Sequence, residues 1–292
     1  MHVTAPASSA NLGPGFDCLG LALDLPFELA DSEPDDSGFL LAEPTHPASA
    51  AFVAAGGDAD LPLWWRSPIP PGRGLGFSGA ARVAGAYLAL LRRGSDEVAC
   101  RAGAMRVAGM LEGHPDNAAA STFGGCTVAV GERVVVVPVP GGLLEQLQVV
   151  IWSPARSTST DASRKVLPDQ LPLADAVYSI GRAALWVAAL ASGELTMLRT
   201  ASEDRVHQPA RLGARPDSLA AYEAALEDPA VLACWLSGSG PSVAALVQGS
   251  EPSAPPETSA LYDRLDAVSG EGGRVRTLAV DRCGVRSAGL NG

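Results

Sequence analysis

A glycine-rich segment runs directly into the clearest helical pattern of the chain. The segment Gly72–Gly79 reads GRGLGFSG. The apolar residues after it repeat with the 3.6-residue period of a helix, and they are Ala80, Val83, Ala84, Tyr87, Leu88 and Leu91. Ser78 is a suitable N-cap for this helix, and Gly94 can end it just after Arg92 and Arg93. The segment therefore predicts a tight loop at the positive end of a helix.

Such a loop points backbone N–H groups and the helix dipole at one place, which predicts an anion site. A side chain at Gly74 or Gly76 would keep phosphate oxygens away, and loops of this kind often need positive φ angles. A tight loop that only caps a helix is the alternative that this segment alone leaves open.

Three common nucleotide-binding motifs do not fit the segment. Gly74–Gly79 satisfies G-x-G-x-x-G, the fingerprint of Rossmann dehydrogenases, but in that fold the fingerprint must follow a buried strand. The preceding Ser67–Pro71 contains three prolines and cannot donate the hydrogen bonds of a central strand. The Walker-A and protein-kinase motifs need a lysine, and the only lysine of the chain is Lys165. The segment therefore excludes Rossmann dehydrogenases, Walker-A nucleotide-binding proteins and protein kinases.

The composition favours a globular protein in a reducing compartment. The 292 residues are 47% hydrophobic and 18% charged, and we divide them into domains 1–150 and 151–292. The net charge of −11 opposes binding to nucleic acid or to an anionic membrane. The 5 cysteines form no C-x-x-C pair, and neither a leader pattern nor an uninterrupted apolar run of about twenty residues is found. We expect a cytoplasmic location.

Periodicity and turn residues predict a mixed order of helices and strands, which is typical of an α+β fold. One or two strands are predicted between Phe16 and Leu29. The other predicted elements are a helix capped by Ser95 and ending near Leu111, strands Cys126–Val130, Arg133–Val139 and Leu147–Trp152, a helix Leu173–Ser192, strands Val231–Leu236 and Val243–Val247, and a loop Gly249–Thr258.

Two further loops concentrate small residues. Pro6–Asp17 surrounds one amide and one carboxylate, Asn11 and Asp17, whose side chains can hold an ammonium and a hydroxyl group. For either residue taken alone, a turn residue that bonds its own backbone is the preferred interpretation. Ser237–Pro241 lies between two predicted strands, where a hairpin turn is the simplest interpretation.

Together the three loops resemble the signature motifs of the galacto-, homoserine, mevalonate and phosphomevalonate (GHMP) kinases. Pro6–Leu23 is similar to the first motif, Pro70–Ala80 to the phosphate loop and Ser237–Pro241 to the third. Glu112–Asn117, with Gly124 and Gly125 after it, resembles the segment typical of homoserine kinases. The resemblance implies an N-terminal domain like domain 2 of ribosomal protein S5 and a C-terminal ferredoxin-like domain. It also implies a homodimer that uses ATP and Mg²⁺ to phosphorylate L-homoserine in threonine biosynthesis.

The same resemblance assigns roles to individual residues. The ATP-binding residues would be Pro71, Gly72, Arg73, Gly74, Leu75, Gly76, Phe77, Ser78, Gly79 and Ala80. The substrate-binding residues would be Asn11, Asp17, Thr160, Arg164, Arg211 and Gly238. The catalytic residues would be Asp116, Asn117 and Arg164, with Asp116 either a base or a structural partner. Two arginines suit a substrate carboxylate, because a planar guanidinium binds both of its oxygens.

The phosphate loop departs from the family pattern at Phe77. The family usually has a magnesium-binding serine there, and phenylalanine cannot coordinate a metal. Ser78 can take over this role, or the ion can rest on Glu112, the phosphates and water. The departure leaves two alternatives open: a weakly active relative that binds nucleotide or amino acid as a regulator, and a kinase for another small alcohol.

Overall fold

The computed structural model describes residues 1–35, 38–249, 260–270 and 272–287. Apart from Gly249, the predicted loop Gly249–Thr258 lies outside the described residues. The strands are β1 His2–Ala10, β2 Leu19–Ala30, β3 Leu40–Leu41, β4 Trp64–Arg66, β5 Cys126–Val130, β6 Arg133–Val136, β7 Leu147–Ser153, β8 Val231–Leu236, β9 Val243–Gln248, β10 Arg274–Ala279 and β11 Arg286–Ser287. The helices are α1 Pro47–Ala54, α2 Phe77–Arg92, α3 Glu97–Glu112, α4 Asp116–Phe123, α5 Thr160–Arg164, α6 Leu173–Ser192, α7 Leu198–Ala201, α8 Gln208–Gly213, α9 Pro216–Leu226 and α10 Ala260–Ala267. Two short 3₁₀ helices lie at Leu144–Gln146 and Leu195–Met197.

The larger sheet is built on the antiparallel pair of β1 and β2. Their register runs from His2 opposite Ala30 to Ala10 opposite Gly20. β11 pairs with the other edge of β1, while β4 and β5 pair with opposite ends of β2. The loop between β1 and β2 contains Asn11 and Asp17, so the sheet fixes the position of the first motif.

Helix α2 is buried against this sheet because its residues are small. Gly85 lies so close to α1 that a β-carbon there would be 2.0 Å from the carbonyl oxygen of Ala48. The buried side chains of the helix are mostly alanines, which allows close packing on several sides. A helix held in this way fixes the phosphate loop at its N-terminus.

The smaller sheet has the antiparallel order β10-β7-β9-β8 and shares a hydrophobic core with the larger one. Trp235 of β8 packs edge-on against Trp186 of α6, with ring centroids 5.5 Å apart, and donates its indole N–H to Ser9 Oγ of β1. These contacts hold the first and third motifs together. The division at residue 150 remains a proposal; that residue lies within β7, so a division before Leu147 would keep the smaller sheet whole.

Helix α6 has the length and apolar composition that a membrane-spanning helix needs. Its buried side chains, Trp186, Ala189 and Leu190, belong to the shared core, which accounts for part of this apolar character. Leu173, Val177 and Ile180 of the same helix are exposed.

Most predicted elements are confirmed, and where a predicted element differs from the structure the difference lies at one of its ends. Helix α2 begins at Phe77 and is capped by Gly76 in the left-handed conformation, so the prediction of Ser78 as N-cap is wrong. Asp96, not Ser95, caps α3, because its side chain accepts the N–H of Ala99. The strand predicted over Arg133–Val139 ends at Val136. Strand β1 was not predicted.

Candidate active site

The three loops meet at a cavity of about 470 Å³ where the two sheets come together. Backbone bonds join them: the N–H of Gly238 donates to the carbonyl of Ala10 at 3.0 Å, and Ser8 N–H to that of Leu75 at 3.2 Å. The predicted site residues that line the cavity are Asn11, Asp17, Gly72, Gly74, Leu75, Gly76, Phe77, Ser78, Gly79, Glu112, Asp116, Asn117, Thr160, Arg164, Arg211 and Gly238.

Three residues predicted to bind ATP do not line this cavity. Arg73 turns away, since its Nε donates to the carbonyl of Pro154 at 2.9 Å, and Pro71 accepts a bond from the same guanidinium. Ala80 is fully buried in the core, and its N–H bonds to the carbonyl of Gly76 inside the helix. The structure therefore places these three behind the loop.

Gly72, Gly74 and Gly76 of the phosphate loop are all left-handed, and the last two lie against other motifs. Gly74 has φ 72° and Gly76 has φ 67°. A β-carbon at Gly74 would lie 2.1 Å from the carbonyl oxygen of Ser237, and one at Gly76 would lie 2.1 Å from Ser8 Oγ. The first N–H groups of α2 have no partner within the helix and face the cavity with the positive end of the dipole. This geometry can bind an anion such as a phosphate group.

The first motif is held in a strained conformation by its own bonds. Asn11 and Asp17 both have positive φ, at 72° and 54°. The Asn11 side chain accepts the N–H of Asp17 at 3.0 Å and donates to the carbonyl of Gly238 at 2.7 Å. The bond to Asp17 N–H is the local bond that the turn interpretation predicts, whereas the bond to Gly238 ties the first motif to the third; the Asp17 carboxylate lines the cavity.

Asp17 and Arg164 form an ion pair at the cavity wall. Arg164 Nη2 lies 2.7 Å and 2.8 Å from the two carboxylate oxygens of Asp17. Both side chains are about one-third exposed, so the pair can exchange partners with a ligand from the cavity. Thr160 lies nearby at the first position of α5, the helix that ends at Arg164.

Arg211 is a buried cation beside this pair. Its side chain lines the cavity although the residue is only 1% exposed. Its guanidinium donates to the carbonyl oxygens of Ser163 and Gly238 and to Nδ1 of His207. Burial, together with the positive charge of Arg164, lowers the pKa of Arg211 to about 10. Two adjacent guanidinium groups at a cavity wall favour an anionic ligand.

His207 is fixed as the neutral tautomer by its two neighbours. The hydrogen bonds assign the proton to Nε2, which donates to the carbonyl of Gly13 at 2.7 Å, while Nδ1 accepts from Arg211 at 3.2 Å. Burial, assisted by the positive charge of Arg211 and opposed by the nearby carboxylate of Asp204, lowers the pKa of His207 to about 4.

We therefore expect His207 to make the folded state sensitive to acid. Below about pH 6.5 this histidine is protonated in the unfolded state, whereas in the folded state it stays neutral down to about pH 4. The free energy of unfolding therefore falls as the pH is lowered across this window, by up to about 3 kcal/mol. Urea unfolding of wild type and His207→Asn between pH 4 and 7 checks this prediction, and an equal pH slope for both proteins would contradict it.

His114 provides the matched control for that measurement. Its hydrogen bond to Asp116 raises its pKa, so the stability from this group is present at low pH and is lost as the pH rises through that pKa. His114→Asn should therefore change the pH slope in the opposite direction.

Asp116 and Asn117 lie at the N-terminus of α4, and both are buried. Asp116 Oδ1 accepts the N–H of Asn117 at 2.7 Å and lies 2.9 Å from Nδ1 of His114. Asn117 Oδ1 accepts a bond from Ser8 Oγ at 2.9 Å. A β-carbon at Gly79 would lie 3.0 Å from Cβ of Asn117, so the close approach of α2 to α4 favours glycine at this position.

The two predicted metal ligands are bound to an arginine that the sequence analysis missed. Arg82 Nη1 donates both to Ser78 Oγ and to a carboxylate oxygen of Glu112, and Arg82 lines the cavity. Phe77 packs instead against Phe27 and Trp65 with ring centroids 5.6 Å and 5.7 Å away. In this arrangement the residues do not fit a protein-bound Mg²⁺, because a guanidinium already binds the only hydroxyl and carboxylate predicted to hold it.

Comparisons with known proteins agree with this architecture. Residues 186–262 match the family model described as GHMP kinases C terminal. A structure described as mevalonate kinase superimposes with a TM-score of 0.65 over 97% of this chain and 99% of that one, at 11% identity, which is a likeness of fold alone. The chain has the GHMP kinase fold.

Two relatives define the family more closely. A homoserine kinase of Thermus thermophilus is 41% identical over an alignment 286 residues long, which covers 94% of this chain and 94% of that one. The crystal structure of a homoserine kinase from Cytophaga hutchinsonii superimposes with a TM-score of 0.79 at 27% identity, covering 99% of this chain and 97% of that one. The chain belongs to the homoserine kinase family.

Proposed function

We propose that the protein transfers the γ-phosphoryl group of ATP to the side-chain hydroxyl of L-homoserine, giving O-phospho-L-homoserine. The observation that carries this proposal is the meeting, in one cavity, of an anion-binding helix end with the charged group Asp17, Arg164 and Arg211. This combination matches the two substrates, a polyphosphate and a zwitterionic amino acid.

The ion pair of Asp17 and Arg164 is complementary to an amino acid. An ammonium group can replace the guanidinium at Asp17, and a carboxylate can replace Asp17 at Arg164, with Arg211 as the second cation. Binding the substrate in this way keeps charges balanced in the cavity. The side-chain hydroxyl of the bound amino acid is then free to extend toward the N-terminus of α2.

Alignment and charge neutralisation supply most of the catalysis in phosphoryl transfer, so a strong base is not required. Asp116 lines the cavity where a base would act. Its hydrogen bonds to Asn117 N–H and His114 favour the role of a structural partner over that of a base. In this proposal Asp116 orients Asn117, and Asn117 faces the reacting groups. Magnesium remains an expectation from the resemblance, and we do not assign Ser78 and Glu112 to it.

ADP release in the presence of magnesium and ATP, measured with L-homoserine, L-threonine, L-serine, mevalonate and galactose, tests the proposal. Turnover is expected with L-homoserine. ADP release without any acceptor measures a contaminating ATPase, and Arg164→Met should lower the release that depends on L-homoserine. Turnover with mevalonate or galactose in place of the amino acids would contradict the proposal, as would silence with every acceptor.

A cytoplasmic location, a homodimer and the absence of nucleic-acid and membrane partners remain predictions. Sedimentation of the purified protein would measure the oligomeric state.

A further inference from the structure

Arg82 lines the cavity between Ser78 of α2 and Glu112 of α3. It is one helical turn after Ser78 on α2, so the two side chains share a face. Glu112 is the last residue of α3, and its side chain is only 7% exposed. One nitrogen of Arg82 binds both, which makes this guanidinium a charge partner for the nearly buried carboxylate and a donor to the hydroxyl.

A cation that joins a serine hydroxyl to a carboxylate beside a phosphate loop has the contacts that a metal ion would make. A metal that entered this place would have to displace Arg82 from Glu112, and Phe77 offers it no replacement oxygen. The loop also has no lysine to neutralise phosphate charge, since the one lysine of the chain is Lys165. Arg82 is therefore a fixed positive charge at the N-terminal turns of α2, on the cavity side.

We propose that Arg82 is a nucleotide-binding residue that occupies the metal position between Ser78 and Glu112, so that the protein binds ATP phosphates without needing Mg²⁺. The inference rests on the proposed use of ATP. A guanidinium presents several donors and stays charged, and Nη1 is held in place by Ser78 and Glu112 while the cavity remains open to phosphate oxygens.

Calorimetric titration with AMP-PNP, once in excess EDTA and once in excess Mg²⁺, tests the inference. For the wild type we expect the two dissociation constants to agree within about tenfold. Arg82→Met should weaken binding in EDTA by roughly 30-fold or more, because a charge-assisted contact is lost. Since this variant leaves Glu112 buried without its partner, the double variant Arg82→Met with Glu112→Gln removes both charges and guards against misfolding. The double variant should show the same loss of AMP-PNP affinity in EDTA as Arg82→Met.

A second readout uses Mn²⁺ without nucleotide, followed by electron paramagnetic resonance. Arg82→Met frees Glu112 and Ser78, so it should bind Mn²⁺ roughly tenfold or more tightly than the wild type, whereas the double variant should not.

Each outcome decides a different claim. If the wild type binds AMP-PNP only with Mg²⁺, or if Arg82→Met binds AMP-PNP in EDTA as tightly as the wild type, the inference is overturned and the proposed function stands. If the wild type binds AMP-PNP in neither buffer, the proposed use of ATP falls together with the inference.

Discussion

Gly74→Ala is expected to lower kcat/KM for ATP by roughly 100-fold or more, since a shift of about 1 Å in a positioning loop costs this much. The new β-carbon would lie 2.1 Å from the carbonyl oxygen of Ser237 and 3.0 Å from that of Gly240. Both neighbours are backbone atoms, so no change of rotamer relieves the contact and the loop itself has to move. Steady-state kinetics at saturating L-homoserine measures the effect, and urea unfolding measures the accompanying loss of stability.

Gly94→Ala is the matched control. Gly94 also has a left-handed φ, 81°, but nothing lies within 4 Å of a β-carbon built there. This variant carries the backbone cost, about 1–2 kcal/mol, without the collision and far from the cavity. If both variants lose stability equally and keep the wild-type kcat/KM for ATP, the close approach of the phosphate loop to Ser237 has no part in nucleotide binding.

The fold was most predictable where one local pattern determines an element. Helix α6 was predicted with its observed bounds, because twenty residues between Pro172 and Gly193 have a helical period and Gly193 ends the helix at φ 79°. Strand β1 was missed, since alanine, serine and proline have weak strand propensity. Its pairing with β2 across nine positions forms the strand, and such long-range contacts are not visible in a local window.

The start of α2 shows the same limit. A serine before an apolar helical pattern is a good N-cap, yet the chain enters this helix through Gly76 at φ 67°, with no side-chain cap. Ser78 therefore lies inside the first turn, where its hydroxyl faces Arg82. The left-handed conformation of Gly76 determines where this helix starts, and the preference of serine for the N-cap position does not.

The sequence predicted which residues belong to the site, but not which residues they form hydrogen bonds with. Residues within one motif are neighbours in sequence, so the resemblance could name Asn11, Asp17 and Glu112 directly. Their partners come from far away: Gly238 lies 227 residues from Asn11, Arg164 lies 147 from Asp17, and Arg82 lies 30 from Glu112. An arginine four residues after Ser78 was the available signal for the last of these. Its meaning depends on how α2 and α3 pack.

Arg211→Met is expected to raise KM for L-homoserine by roughly 100-fold or more, because two charge-assisted hydrogen bonds to a carboxylate are worth about 3 kcal/mol together. Arg211 is held by carbonyl oxygens and a neutral histidine, so within the described part of the chain its charge has no direct carboxylate partner. The free energy of its burial is then recovered when an anion binds. The KM for ATP should change little, since the phosphate loop does not contact this side chain through any hydrogen bond.

A substrate analogue separates recognition of the carboxylate from structural damage. Homoserinol has a hydroxymethyl group in place of the carboxylate, so the wild type should prefer L-homoserine over it by a large factor, and Arg211→Met should lose most of that preference. A variant that merely disturbs α8 would lose activity with both compounds and keep their ratio. Arg211→Lys keeps the charge but not the planar pair of donors, so it should recover part of the preference. If Arg211→Met kept the full wild-type preference, the substrate carboxylate would have to bind elsewhere, and Arg164 alone would be the remaining cation of the pair that faces the cavity.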